Sequence, residues 1–261
     1  MYLSLFMMQN KKSMFLIQKI GECLYKNAYS VYQPTYFLYK KVSENSEINF
    51  FKANIKKEDI VFDIGANIGF YSLLFSELVG DKGRVFAFEP EKNNFLKLLK
   101  NTKNKSNIHC INAAVSEKSG SITLYSSEFG LNVDFRTYST QSNQIISQID
   151  AWALDDFCEM NNISKIDWIK MDIQGYEYFA LSGMKNTLNK FSNIKIFMEF
   201  WPYGINQSGI TIHQFFKFFQ SLGLNVYLFQ NGKLLELIDT NHLQFSTHPK
   251  DNYHLFVTKK Q

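Results

Sequence analysis

Cysteine is scarce in this 261-residue chain: Cys23, Cys110 and Cys158 lie far apart, with no C-x-x-C spacing. That argues against a metal site built on cysteine and against a disulfide framework, and suits a reducing, cytoplasmic setting. Four prolines are too few for a Pro-rich hinge, and no repeat or low-complexity linker is visible. No apolar run approaches the ~20 residues needed to cross a bilayer. The apolar start, Met1 to Met8, lacks the basic flank of a secretory signal, so none is expected. A charge excess is also missing over most of the chain. Residues 1–59 hold nine Lys against five Asp and Glu, which accounts for the whole net charge of +4. The remainder balances, so no nucleic-acid partner is expected, because such a partner needs a basic face on the core.

Hydrophobic residues make up 45% and charged residues 20%, the composition of a globular protein. The 25 Phe and 14 Tyr are scattered, as core packing requires. Residues 13–26 read as a helix with Met14, Ile17, Ile20 and Leu24 on one face. A Tyr-rich stretch, Tyr29 to Tyr39, follows and is expected to break at Pro34. Residues 1–45 are therefore expected to form a helical appendage that either covers a substrate cleft or touches an anionic membrane peripherally. Residues 46–261 are expected to form the main domain.

From residue 60 the pattern becomes β-α-β-α-β. Buried-strand runs at Ile60–Ile64, Arg84–Phe88 and Ile108–Asn112 alternate with helical spacings. Residues 114–150 interrupt as an inserted arm and polar loop, with a hairpin around Ser119-Gly120. Strands at Ile166–Met171, Ile194–Phe200, Leu224–Phe229 and Tyr253–Val257 then resume the alternation, with helices at Tyr176–Leu188 and Ile212–Leu222. The expected fold is α/β: a Rossmann-like, mostly parallel sheet of about seven strands with helices on both faces.

Asp63-Ile64-Gly65-Ala66-Asn67-Ile68-Gly69 sits between the first strand and the first helix of this pattern. Gly65 lets backbone approach a ligand closely, and the helix start offers N–H groups to a carboxylate. Glu89, at the end of the next strand and 20 positions after Gly69, can accept from ribose hydroxyls. A dinucleotide site needs G-x-G-x-x-G for its pyrophosphate; here Ala66, Asn67 and Ile68 follow Gly65. Asp63 would repel phosphate and favour a cation. The ligand that combines ammonium, carboxylate, sulfonium and ribose is S-adenosylmethionine.

Three further blocks accompany this loop: Ala87-Phe88-Glu89-Pro90, Asn112-Ala113-Ala114-Val115 and Ile169-Lys170-Met171-Asp172-Ile173-Gln174-Gly175-Tyr176-Glu177. Together with Leu154-Asp155-Asp156-Phe157 and Met198-Glu199-Phe200-Trp201-Pro202, they resemble the successive signatures of FkbM-type methyltransferases over about residues 45–230. The resemblance implies O-methylation of a hydroxyl on a sugar, glycolipid or secondary metabolite. Carried over by position, Asp63, Gly65, Asn67 and Gly69 would hold the methionine part of the donor, Glu89 the ribose, and Asn112 to Ala114 the adenine. Asp172 would stand at the donor–acceptor junction. Gln174 departs from the Glu that many members carry, so an acidic role does not transfer there.

An alcohol acceptor calls for a general base. Asp172 and Glu199, at carboxyl ends of strands, are candidates, and His213 is a third. The remaining histidines have no ligand spacing, so no metal is expected. Arg136 and Tyr138, in the polar insert, could touch a polar acceptor from a loop over the cleft; the alternative is that Arg136 pairs with Asp134 or Glu128 at the surface. A nucleic-acid methyltransferase or a non-catalytic nucleotide-binding module would share the core. The first lacks a Pro-Pro-Tyr or Pro-Cys block, and the second is disfavoured by an intact loop and Glu89.

Overall fold

The computed structural model describes residues 19–126, 135–139, 144–237 and 245–259. Residues 13–18 of the expected first helix, and Glu128 and Asp134, lie outside them. Residues 19–27 are helical (α1), followed by α2 (Tyr29–Ser43) and α3 (Asn45–Asn54). Pro34 does not break α2, which runs through it. The hydroxyl of Thr35 donates to the Val31 and Tyr32 carbonyls on the same turns. Tyrosine contacts on the inner face of α2, described below, offset the proline penalty of about 3 kcal/mol.

The alternating core then unfolds as β1 (Ile60–Ile64), α4 (Phe70–Val79), β2 (Arg84–Phe88), α5 (Lys92–Thr102) and β3 (Ile108–Ile111). The inserted arm is β4 (Ala114–Val115), β5 (Gly120–Ser126), β6 (Phe135–Arg136) and β7 (Ile145–Trp152), a separate four-stranded sheet of order β4-β7-β5-β6. β4 and β5 therefore do not pair with each other as the Ser119-Gly120 turn suggests. β7 lies between them, because its long extended run pairs with both. The core continues with α6 (Leu154–Met160), β8 (Trp168–Met171), α7 (Glu177–Ser182), α8 (Lys185–Lys190) and β9 (Lys195–Phe200). It ends with α9 (Pro202–Gln207), α10 (Ile212–Ser221), β10 (Leu224–Gln230), β11 (Lys233–Glu236) and β12 (Tyr253–Lys259).

The main sheet has the order β11-β10-β12-β9-β8-β1-β2-β3. β1, β2, β3, β8 and β9 run parallel, and β12 is antiparallel to both neighbours. The eighth strand, β11, is added by the Asn231-Gly232 turn, where both residues adopt positive φ, as a tight hairpin requires. Strand order reverses at β1, with β2 on one side and β8 on the other, which opens a crevice at the carboxyl ends.

Both sheet faces are covered, so β1 is buried along its whole length. Phe62, Phe88, Met171, Met198, Phe200 and Phe215 belong to the cluster on one face. On the other, Phe51 of α3 meets Phe75, Trp168 and Phe197. α3 is thereby part of the core, although its pattern did not stand out in the sequence. No helix among the described residues is long and apolar enough to cross a membrane.

Candidate active site

A cavity of about 360 Å³ opens at the carboxyl ends of β1, β2, β8 and β9. One end is made by the Gly65–Gly69 loop. Gly65 has φ +81°, and a Cβ there would lie 2.0 Å from the Asp172 carbonyl oxygen, so only glycine lets β1 turn this close to β8. Asn67 also has positive φ, and its N–H donates to Glu89 Oε2 at 2.8 Å. Glu89 Oε1 accepts from the Glu91 N–H at 3.0 Å. Burial pushes the Glu89 carboxyl up to about 7, against the pull of these two N–H groups. The Asn94 side chain also hydrogen-bonds this carboxyl, which still has lone-pair capacity for a ligand hydroxyl. Ala113 and Ala114, both buried, line the cavity beside Val115 and Leu124 and form a narrow apolar wall.

At the other end stand Asp172 and Glu199. The side-chain amide of Gln174 donates to Asp172 Oδ1 and Glu199 Oε2, each at 3.0 Å. Gln174 adopts φ +56°, a conformation that costs a non-glycine residue about 1–3 kcal/mol and collects at functional sites. Its turn is clamped by Glu177, which accepts from the Ile173 and Gly175 N–H groups. Lys170 lies 3.4 Å from Asp172 and 4.0 Å from Asp63. Burial disfavours an ionised Asp172, but the ammonium groups of Lys170 and Lys40 outweigh it and hold the carboxyl well below the usual range. Burial, and then the Asp172 charge, drive Glu199 well above its usual value. The two carboxyls titrate as a coupled pair in which the negative charge is favoured on Asp172. Asn252 donates to Glu199 Oε1, and His254 faces Glu199 in register across β12.

The roof comes from α2. Tyr25, Tyr29, Tyr32 and Tyr36 form a continuous ladder of ring contacts along α1 and α2. The Tyr25 hydroxyl donates to Asn94, and Asn101 donates to the Tyr29 hydroxyl at 2.8 Å, which anchors the ladder on α5. Tyr32, Tyr36, Lys40 and Glu44 then face the cavity. Lys40 pairs with Glu44, which also accepts from the Tyr71 hydroxyl at 2.6 Å.

Several residues singled out from sequence stand elsewhere than expected. Asp63 is wholly buried behind the loop, where its Oδ2 accepts from Ser72 at 2.6 Å, and it does not line the cavity. Gly69 caps α4, and a Cβ there would meet Leu98 of α5 at 2.7 Å. Asn112 is exposed and donates to the Glu89 and Pro90 carbonyls, fixing the end of β2. Arg136 is buried with its guanidinium 4.8 Å from the Trp201 ring, and Tyr138 donates to the Gln174 carbonyl at 2.8 Å. Neither lines the cavity; Thr137 between them does. His213 is exposed in the first turn of α10, away from the cavity. Gly65, Asn67, Glu89, Ala114, Asp172 and Glu199 are brought together. Tyr36 lies in the Tyr-rich stretch expected as a cover over a cleft, whereas Lys40, Lys170, Asn252 and His254 were not found from sequence. Of these, only Lys170 had a signal, its place two residues before Asp172.

Residues 63–236, more than half of the chain, match the model of the methyltransferase FkbM domain. The chain belongs to the FkbM methyltransferase domain family. It is 28% identical over 146 residues to the hexuronic acid methyltransferase AglP of Haloferax volcanii, covering 56% of this chain and 58% of that one. It is 27% identical over 150 residues to the 2-O-methyltransferase NoeI of Sinorhizobium fredii, covering 52% and 61%. The chain thus spans less than two thirds of the length of these relatives. The solved FkbM methyltransferase of Methylobacillus flagellatus KT superposes with a TM-score of 0.48 at 17% identity, over 94% of this chain and 59% of that one.

Proposed function

We propose that this FkbM-family protein carries a methyl group from S-adenosylmethionine to a hydroxyl of a sugar-containing acceptor. The observation that carries the reading is the meeting, in one cavity, of Glu89 on the glycine-loop side with an ionised Asp172 opposite. The residues present fit the donor. Glu89 has lone pairs for ribose hydroxyls, Ala113 and Ala114 suit a flat ring, and Gly65 leaves backbone open to the methionyl part. When bound, the donor supplies a methyl carbon already activated by its sulfonium.

The chain's own contribution is positioning and proton transfer. Asp172 accepts a hydrogen bond from the acceptor hydroxyl and takes its proton as the new oxygen–carbon bond forms. An alcohol oxygen that gains a methyl group becomes strongly acidic, so a carboxylate of low proton affinity suffices as base. Glu199 keeps its proton and, through Gln174, fixes the Asp172 carboxylate. The products are a methyl ether, the demethylated donor and a proton. The two named relatives, one acting on hexuronic acid and one named for 2-O-methylation, support a sugar hydroxyl. Incubation with isotope-labelled donor and a saccharide panel, read by mass spectrometry, should show label in a methyl ether. Donor binding without methylation of any hydroxyl compound would refute the catalytic reading.

The outer face of α2 supports a peripheral contact with anionic lipid as well. Leu38 and Val42, one turn apart, are 64% and 73% exposed beside Lys41, and the +4 charge resides in residues 1–59, of which α2 is part. Co-flotation with phosphatidylglycerol vesicles but not with phosphatidylcholine vesicles tests it; equal behaviour with both removes the contact.

A further inference from the structure

A second cavity of about 320 Å³ lies along the same edge of the sheet, between the start of α3 and the ends of β10 and β12. Asn252 and His254 line both cavities. They form the wall between them, and each touches or faces Glu199. Beyond that wall stand Ser46 and Glu47 of α3 and Gln230 at the end of β10, over Phe229. Glu47 Oε1 lies 3.5 Å from His254 Nδ1, and Ser46 donates to Glu47 Oε2 at 2.9 Å. A line of polar side chains therefore runs from Asp172 through Gln174, Glu199 and Asn252 to the wall, and from His254 through Glu47 to Ser46. Two strand spacings, on the order of 10 Å, separate β9 from β10 across β12.

The lining of this second cavity selects a ligand class. It offers amides, a hydroxyl and a carboxylate beside aromatic rings, and among the described residues no Lys or Arg lines it. A phosphate or sulfate would find no strong cation there. A neutral ring bearing several hydroxyls would find donors and acceptors for its edges and an apolar floor for its face. A chain that continues beyond a reacting ring in the first cavity has room beyond Asn252 and His254, which line both cavities.

We infer that the second cavity is a binding subsite for a sugar residue adjoining the methylated one, so that the acceptor is an oligosaccharide rather than a free monosaccharide. This rests on the reading of the first cavity as a sugar O-methylation site. The test uses the full-length protein with labelled donor and a panel of hexose, deoxyhexose and hexuronic acid monosaccharides, each with its di- and trisaccharides. The best acceptor should be a di- or trisaccharide, with kcat/KM at least about tenfold above that of its own reacting monosaccharide. Gln230→Trp, which fills the cavity from an exposed strand end, should bring that ratio close to one and leave monosaccharide turnover unchanged. Gln230→Ala, a milder change, should lower it severalfold. A monosaccharide acceptor that longer chains do not improve, or a ratio untouched by both variants, overturns the subsite while leaving sugar methylation standing. Methylation of non-sugar hydroxyl compounds alone overturns the underlying reading and the subsite with it.

Discussion

The two ends of the main cavity are built differently. The donor end comes from one continuous stretch, residues 63–115, in which each strand delivers its contribution to the turn that follows it. The acceptor end is assembled from α2, β8, β9 and the start of β12, segments more than 200 residues apart along the chain. Their electrostatics differ as well. At the donor end one carboxyl, Glu89, is poised near neutrality by burial. At the acceptor end two ammonium groups hold Asp172 well below the usual carboxylate range, while burial and the Asp172 charge push Glu199 well above it. On the proposed reading, donor recognition is local and tunable by pH near 7, whereas the carboxylate proposed as base is held by groups that only the folded chain brings together.

The sharpest way to break this division is at Asp172. Asp172→Asn keeps the shape and the Gln174 neighbour but removes the proton acceptor. Turnover should fall by about 10²–10⁴-fold, with donor affinity changed by less than about threefold by calorimetry. A comparable fall in donor affinity would show that the two ends do not act separately. Gly65 is where they do touch, through the Asp172 carbonyl. Gly65→Ala should cost about 1–3 kcal/mol for its positive φ alone, and more for the 2.0 Å overlap, read as a lowered Tm with donor binding and turnover lost together. An unchanged Tm would mean the loop can move off β8. At the donor end, Glu89→Ala should weaken the demethylated donor by about 1.5–3 kcal/mol, roughly 10- to 150-fold, with no effect on acceptor KM.

The same contrast explains what was legible before the structure. The Gly65 loop, Glu89 and Ala114 could be placed because a strand, a turn and the next strand end follow one another in sequence. Asp172 and Glu199 could be named because each ends an apolar run. Lys40 could not, because only tertiary packing of α2 on α5 and α4 carries it to the site. Asp63 and Gly69 were placed one layer too far forward: the same acid and glycine that suit a ligand also suit Ser72, Lys170 and Leu98 behind it. Arg136 is buried beside Trp201, and a charged residue in a polar insert gives no sign of that burial. The main sheet was readable from its alternation, whereas the arm was not, because β7 pairs with strands on both sides of it and the turn at Gly120 is only locally a hairpin signal.

The smallest expected effect is also the most specific to the donor end. In the free protein the Glu89 carboxyl titrates at about 7, and hydrogen bonds from ribose hydroxyls favour its ionised form. Binding therefore releases a proton when the pH is near or below 7. Affinity for the demethylated donor should rise up to about tenfold between pH 6 and pH 8, since one pKa unit corresponds to about 1.4 kcal/mol. Its calorimetric enthalpy should vary with the ionisation heat of the buffer. Stability should run the other way. Glu89 and Glu177 both have folded values raised to about 7 by burial, so the folded state holds protons that the unfolded state has already lost. The stability they contribute is present below the ordinary carboxylate range and is lost as pH rises to about 7. The Tm of the free protein should fall across that window, and less steeply with ligand bound. His254 also lines the cavity, but burial lowers its pKa from the ordinary value, away from that of Glu89. Glu89→Gln should accordingly flatten the affinity profile while His254→Asn preserves it; a profile flat in the wild type, with buffer-independent heats, would remove Glu89 from the ribose contact.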